Sequence, residues 1–244
     1  MKRFSIFFVV SLLAIPPALA GPAHPKGVVE LFTSQSCSSC PPADAVLARL
    51  AARDDVIALS YHVDYWNYLG WRDTFSAKKF TDRQYGYAKT FGRGSVYTPQ
   101  MVIDGRDAAI GSDEAVVEEK LKALADGGKG PAVPITATQS AGKITIKVGA
   151  GGGNADLLLV YFDKKATVAI GKGENSGKTI TYWHVVRDVQ TVGMWDGKTM
   201  SVVMPASVIK GSSSGGCAIL LQEMSAGNAP GAILGATVVS ATGG

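Results

Sequence analysis

Val28-Val29-Glu30-Leu31-Phe32 runs through a short polar loop into Cys37-Ser38-Ser39-Cys40-Pro41-Pro42, and a helix-patterned segment, Ala43 to Ala52, leads out. The first stretch is short and nearly all apolar, as expected of a strand covered on both faces. Ala43, Val46, Leu47 and Leu50 recur at helical spacing, and Pro41 and Pro42 are tolerated in the first turn of a helix. Two cysteines separated by two residues therefore stand at a strand–helix joint. There they are placed either to close a small disulfide or to grip a soft metal.

Working outward to the amino end, Lys2 and Arg3 precede the apolar Phe4 to Ile15, and Ala18-Leu19-Ala20 is a small-x-small cleavage pattern. Residues 1–20 read as a signal peptide, the mature chain is expected to start at Gly21, and no stable membrane anchor is expected after cleavage. This places the protein in the periplasm or outside the cell, where disulfides persist. The full chain has 24 basic against 20 acidic residues, a net charge of +4; without Lys2 and Arg3 it is 22 against 20, or +2. That balance is too mild for a nucleic-acid partner. Three cysteines do not make a disulfide-stapled scaffold. Cys217, within Gly216-Cys217-Ala218-Ile219-Leu220, reads as a buried strand thiol, with an intermolecular disulfide as the alternative.

Towards the carboxyl end the pattern alternates as far as Gly127. Val56 to Val63 is a second strand, and Thr74 to Phe91 is a polar helix with Phe80, Tyr87 and Phe91 on one face. Gln100 to Asp104 and Ala108 to Gly111 form a hairpin across Asp104-Gly105. A last helix, with Ser112 as its expected cap, ends at Gly127. A crossover makes the first two strands parallel, and the hairpin makes the last two antiparallel. The expectation for 27–128 is thus an α/β domain, a mixed four-stranded sheet with helices on its faces. Lys129-Gly130-Pro131 reads as a linker, and in 132–242 the helical period disappears. Short strand-like runs separated by Gly, Asn, Ser and Asp predict an antiparallel β-sandwich domain there.

The chemistry centres on the two thiols. Disulfide exchange needs an exposed sulfur whose negative charge is stabilised, and a helix amino terminus supplies that stabilisation. Cys37, ahead of the helix, is the expected nucleophile and Cys40 the resolving thiol. Ser38 and Ser39 bring no charge. Pro41 disfavours helical geometry at Cys40, so the helix is expected to start late. The strand, the Cys-x-x-Cys, the helix and the later Tyr97-Thr98-Pro99-Gln100 before a strand ending in Asp104-Gly105 resemble the thioredoxin fold. The resemblance implies a cis proline at Pro99, facing the dithiol, with Thr98 before it offering its backbone to an extended substrate segment. It also directs attention to Glu30, which either reaches beneath Cys40 as its base or, at a strand start, faces water or pairs with a lysine. More narrowly, the chain resembles an uncharacterised secreted bacterial family with a thioredoxin-like domain, a domain-of-unknown-function family. The resemblance is carried by the stretch from Glu30 to Asp44, by His62-Val63-Asp64-Tyr65-Trp66-Asn67, by Gly70-Trp71 and by Tyr97 to Gln100.

His62 and Asp64 end the second strand, at the sheet edge where ligand sites collect. His62 is read either as an acid–base partner or metal ligand beside Cys37, or as a histidine packed under Tyr65 and Trp66. Tyr65, Trp66, Tyr68, Leu69 and Trp71 are read as a flap over the sheet and as an apolar rim for a protein substrate. Three functions follow. The first is an exported thiol–disulfide oxidoreductase without a cofactor, acting on exported protein substrates or a redox partner. The second is a Cu(I)-binding protein using Cys37, Cys40 and His62. The third is a binding module with a structural disulfide. The redox reading requires the sulfur of residue 37 to sit beside the peptide bond of residue 99 and to reach solvent.

Overall fold

The structure, a computed structural model, describes residues 24–210, 215–225 and 227–240. The expected leader, 1–20, lies outside the described residues. In chain order the elements are β1 (Gly27–Thr33), α1 (Pro41–Ala51), β2 (Val56–His62), α2 (Lys78–Thr90), β3 (Gln100–Ile103), β4 (Asp107–Ile110) and α3 (Glu114–Asp126), with a short 3₁₀ turn at Asn67–Leu69. There follow β5 (Ile135–Ser140), β6 (Lys143–Val148), β7 (Ala155–Ala169), β8 (Thr179–Trp195), β9 (Met200–Pro205), α4 (Ser207–Lys210), β10 (Gly216–Ser225) and β11 (Ala229–Ser240). Among the described residues no helix is long and apolar enough to cross a membrane.

β1 pairs parallel with β2 and antiparallel with β3, and β3 with β4. The sheet does not stop there. Its order is β11-β10-β7-β8-β2-β1-β3-β4, eight strands in one sheet, with a second sheet of order β5-β6-β9. This corrects the division expected after the linker: the strands of the second half continue the sheet of the first rather than folding apart from it. The seam is narrow. Ser60 of β2 meets Val185 of β8 in parallel, and the ring Nδ1–H of His184 donates to the carbonyl of Ala58 at 2.9 Å. His184 takes a φ of +46° to do so, a conformation that costs free energy for a residue with a Cβ. Such a seam joins strands about 125 positions apart, so no local sequence signal announces it.

Alternation along the strands sorts the side chains into three cores. Val28, Phe32, Leu59 and Tyr61 face the same way as Val160, Leu220 and Ile233, and pack with Phe80 and Tyr87 of α2. Val29, Leu31, Met101 and Ile103 face the other way, onto Val46, Leu47 and Leu50 of α1 and Val117 and Leu121 of α3. Further along the sheet, Leu157, Leu159 and Ile219 pack against Ile144, Ile146 and Val148 of the three-stranded sheet. The three-stranded sheet thus packs on strands of the large sheet, which the second half shares with the first. The large sheet also curls strongly. The N–H of Ile233 in β11 donates to the carbonyl of Asp104 in the β3–β4 turn at 2.9 Å. At Gly105 a Cβ would lie 2.0 Å from the carbonyl oxygen of Gly231, and φ is +63°, so this turn admits only glycine.

Local signals also needed correction at two helix starts. Cys40 is helical (φ −79°, ψ −35°) and α1 begins at Pro41. Pro41 thus occupies the first helical position, where its missing N–H costs nothing, and it does not delay the helix. α3 is capped by Asp113, whose carboxylate accepts from the Val116 N–H, rather than by Ser112.

Candidate functional site

The loop from Ser34 to Cys40 is held almost entirely by polar contacts with chain distant in sequence. The Gln35 N–H donates to Asp73 Oδ2 at 2.7 Å, and the Gln35 side chain bonds Thr74 Oγ1 and the Trp71 indole N–H. Ser36 Oγ donates to the Trp71 carbonyl at 2.5 Å, and the Cys37 N–H to the Ser34 carbonyl at 3.1 Å. These bonds satisfy a buried loop backbone that would otherwise carry an energetic cost. Cys37 and Cys40 form a disulfide, with their Cα atoms 5.4 Å apart, and Cys40 stands as the residue that opens α1.

Residue 99 lies beside this pair. The Thr98–Pro99 peptide bond is cis. Thr98 Oγ1 donates to Cys37 Sγ at 3.3 Å and accepts from the Trp66 indole N–H at 2.7 Å, while Ser39 Oγ lies 3.4 Å from Cys37 Sγ. Tyr68, whose ring neighbours that of Trp66, is 75% exposed. Access is narrow: Cys37 is 4% exposed and Cys40 fully buried, although Ser38 and Ser39 between them are exposed.

Two expected partners lie elsewhere. Glu30 is fully buried, but it shares the α2-facing side of β1 with Val28 and Phe32. Its carboxylate accepts two bonds from Arg83, at 2.9 and 3.1 Å, and one from the Tyr87 hydroxyl. Gln222 of β10 completes the group, accepting from Arg83 at 2.8 Å and donating to Tyr87 Oη at 2.7 Å. Glu30 therefore does not serve Cys40, because strand alternation sends it through the opposite face of the sheet.

His62 is also fully buried. Its Nδ1 shares a 2.7 Å hydrogen bond with Asp73 Oδ2, and its ring packs edge-on against Phe75 and Tyr182. Tyr65 and Trp66 lie on the other side, with the α2-facing core. Among the described residues no three His, Cys, Asp or Glu side chains are grouped to hold a metal ion. The Cys37, Cys40 and His62 site expected for Cu(I) is not assembled, since Asp73 and two aromatic rings hold the imidazole inside the core.

Asp44, one helical turn after Cys40, is a buried acid on the side of the sheet that carries the disulfide. Thr33 Oγ1 donates to its Oδ1 at 2.9 Å, and its Oδ2 has no protein partner. Burial pushes its pKa up to about 7, against the opposing pull of His62 and Thr33. Ser60 Oγ, His62 Nε2 and Tyr182 Oη are likewise buried without a protein partner, and Asp44 feels the charge of His62 while Tyr182 feels that of Asp44. Asp73 behaves oppositely. Burial raises its pKa, but His62 and the N–H groups of Gln35 and Phe75 outweigh this and hold it below the usual carboxylate range. The reading of the sequence missed Asp44 and Asp73; an acid one turn inside a helix that follows a Cys-x-x-Cys was the available signal for Asp44.

The other missed residues come from the second half. β7 and β8 extend beyond the rest of the sheet as a two-stranded arm, and its tip, Ile170 to Lys178, reaches the dithiol loop. The buried Asn175 side chain donates to the carbonyls of Gln35 at 3.0 Å and Cys37 at 2.9 Å. Glu174 Oε2 accepts from the Ser38 N–H at 3.1 Å.

The profile of a family described as "Protein of unknown function (DUF1223)" matches residues 28–222, which include the whole site. The chain belongs to the DUF1223 family. A crystal structure of a protein from Agrobacterium tumefaciens is 48% identical, with a TM-score of 0.82, over 89% of this chain and 95% of that one. HBP35 of Porphyromonas gingivalis resembles it at 17% identity and a TM-score of 0.58, over 90% of this chain and 76% of that one, a likeness of fold alone. No curated protein matches the chain. The DUF1223 match ends within β10 and spans both halves, in keeping with the continuous sheet.

Proposed function

We propose that this DUF1223 chain is an exported thiol–disulfide oxidoreductase-like protein with a thioredoxin-like amino half. Cys37 is its nucleophile and Cys40 its resolving thiol. One observation carries the reading: the Cys37–Cys40 disulfide stands at the head of α1 with the Thr98 hydroxyl aimed at Cys37 Sγ. The helix terminus and that hydroxyl both favour negative charge on this sulfur. In the reduced form the Cys37 thiolate attacks a disulfide of an exported protein. One S–S bond breaks, one substrate thiolate leaves, and a mixed disulfide forms. Cys40, once deprotonated, attacks Cys37 Sγ, the second substrate thiolate leaves, and the pair is oxidised. The exposed Tyr68, beside Trp66, supplies an apolar contact for the substrate segment. Export rests on the basic start, apolar core and small-residue cleavage pattern of residues 1–20.

The 4% exposure of Cys37 and the clasp of Asn175 on the loop favour a second reading, a binding module whose disulfide is structural. Trapping separates the two. A Cys40→Ala variant exported in bacteria is expected to accumulate mixed disulfides through Cys37, visible on non-reducing gels and lost on reduction. An absence of adducts, together with no disulfide-reductase or refolding activity of the unmodified protein, would establish the second reading.

A further inference from the structure

We infer that Glu174, carried to the dithiol loop by the tip of the β7–β8 arm, is a positioning residue that sets the redox balance of Cys37–Cys40 toward the disulfide. The inference rests on the oxidoreductase reading and adds a direction to it.

The tip is held in place. It is closed on itself by the Gly177 N–H to the Ile170 carbonyl at 2.8 Å and the Ser176 N–H to the Gly173 carbonyl at 3.1 Å. Gly173, at φ +76°, lies so close to the 3₁₀ turn that a Cβ would sit 3.1 Å from the Leu69 carbonyl. Asn175 fixes the tip to the loop: its amide donates to the Gln35 and Cys37 carbonyls, while its side-chain oxygen accepts from Lys178 Nζ within the tip at 2.8 Å. With Asn175 anchored, Glu174 is delivered to the Ser38 N–H.

That N–H belongs to the residue after Cys37, at the positive pole ahead of α1. A thiolate at Cys37 draws on this pole, whereas the disulfide is uncharged and does not. Glu174 occupies the pole with a full negative charge, so it competes with the thiolate and leaves the disulfide unaffected. Thr98, which donates to the sulfur, and Trp66, which donates to Thr98, are neutral. Other ionisable groups near the loop are Asp73 at the Gln35 N–H, His62 hydrogen-bonded to Asp73, Asp44 within α1, and Lys178, whose ammonium is turned to Asn175. Glu174 is thus the acid that bonds within the Cys-x-x-Cys itself, and it is the exposed one.

The test equilibrates the purified protein with glutathione buffers of graded ratio at pH 7. In this exchange two glutathione thiols supply two electrons and two protons. The Cys37–Cys40 bond breaks to two thiols, and one S–S bond forms in glutathione disulfide. Glu174→Gln keeps a hydrogen-bond acceptor and removes the charge. It is expected to shift the equilibrium about two- to fivefold toward the dithiol, or roughly 10–20 mV upward. Glu174→Lys is expected to shift it further in the same direction. Asp196→Asn, at an exposed acid paired with Lys198 in the β8–β9 turn, is expected to match the parent. In a Cys40→Ala background Glu174→Gln is also expected to lower the Cys37 titration midpoint, read by thiolate absorbance, and high salt is expected to shrink the difference. Potentials of both Glu174 variants equal to or below the parent's, in a pair that does exchange, would overturn this inference alone. A pair that exchanges with glutathione at no ratio would overturn the oxidoreductase reading and this inference with it.

Discussion

Glu30 and Asp44 are buried carboxyl groups on opposite faces of one sheet, and they are treated very differently. Glu30 meets a guanidinium with both oxygens and a phenol besides, and a glutamine closes the group from a strand almost two hundred residues away. Asp44 has one hydroxyl donor and one bare oxygen. A charge whose hydrogen bonds are complete is held as part of the framework. An acid left half-served changes protonation near neutrality, and this one lies on the side of the sheet that carries the disulfide. Full burial therefore identifies neither a structural nor a chemical acid; the number of its bonds does.

The largest effect is expected from breaking the complete group. Arg83→Ala takes the cation from the buried Glu30 carboxyl, and should destabilise the protein by about 3–5 kcal/mol in urea unfolding. The titration midpoint of Cys37, measured in a Cys40→Ala background, should not move. A large movement there would join the two faces that the comparison separates.

Asp44→Asn addresses the incomplete group through pH. Asp44 has its folded pKa raised to about 7 from 3.8. Between those values the folded state binds more protons than the unfolded state, so stability falls as pH rises from about 4 to 7 and then levels off. The cumulative loss from this group is up to about 4 kcal/mol. Asp104, also pushed up to about 7 by burial, has the same sign, whereas the lowered Asp73 acts only on the acid side. Urea unfolding at a series of pH values should show a clear decline in the parent and a shallower one in Asp44→Asn. Equal slopes would mean that Asp44 is as settled as Glu30.

Thr98→Val is the smallest and sharpest change. It removes the hydroxyl from Cys37 Sγ and the acceptor from the Trp66 indole, at a cost to stability of about 1 kcal/mol. The Cys37 midpoint in the Cys40→Ala background should rise, which Arg83→Ala should not cause. No rise would remove Thr98 from the chemistry.

What could be read in the sequence was local. Cys37, Cys40 and the apolar spacing of Ala43, Val46, Leu47 and Leu50 mark a strand–helix joint within a few residues, and resemblance pointed to Thr98 and Pro99. Glu30 was undecidable by eye because a one-residue change of register moves a side chain to the other face. His62 was drawn to the wrong partner because Asp73, which holds it, lies in a loop with no periodic signal. The arm was hidden for a different reason: Asp163 to Ala169 is largely polar, and Gly171 to Gly177 reads as an ordinary turn. Its purpose is visible only once Asn175 is seen on the Cys37 carbonyl. The single sheet escaped for want of any local mark at Ser60 and Val185.

That seam has a consequence for how the molecule is put together. The amino half holds the disulfide, yet β2 has no outer neighbour until Val185 arrives. A fragment ending at Gly128 would present the raw edge of β2 to water. That edge is covered only when β8 is made, and the Cys37–Cys40 loop gains its two bonds from Asn175 only with the tip that precedes β8.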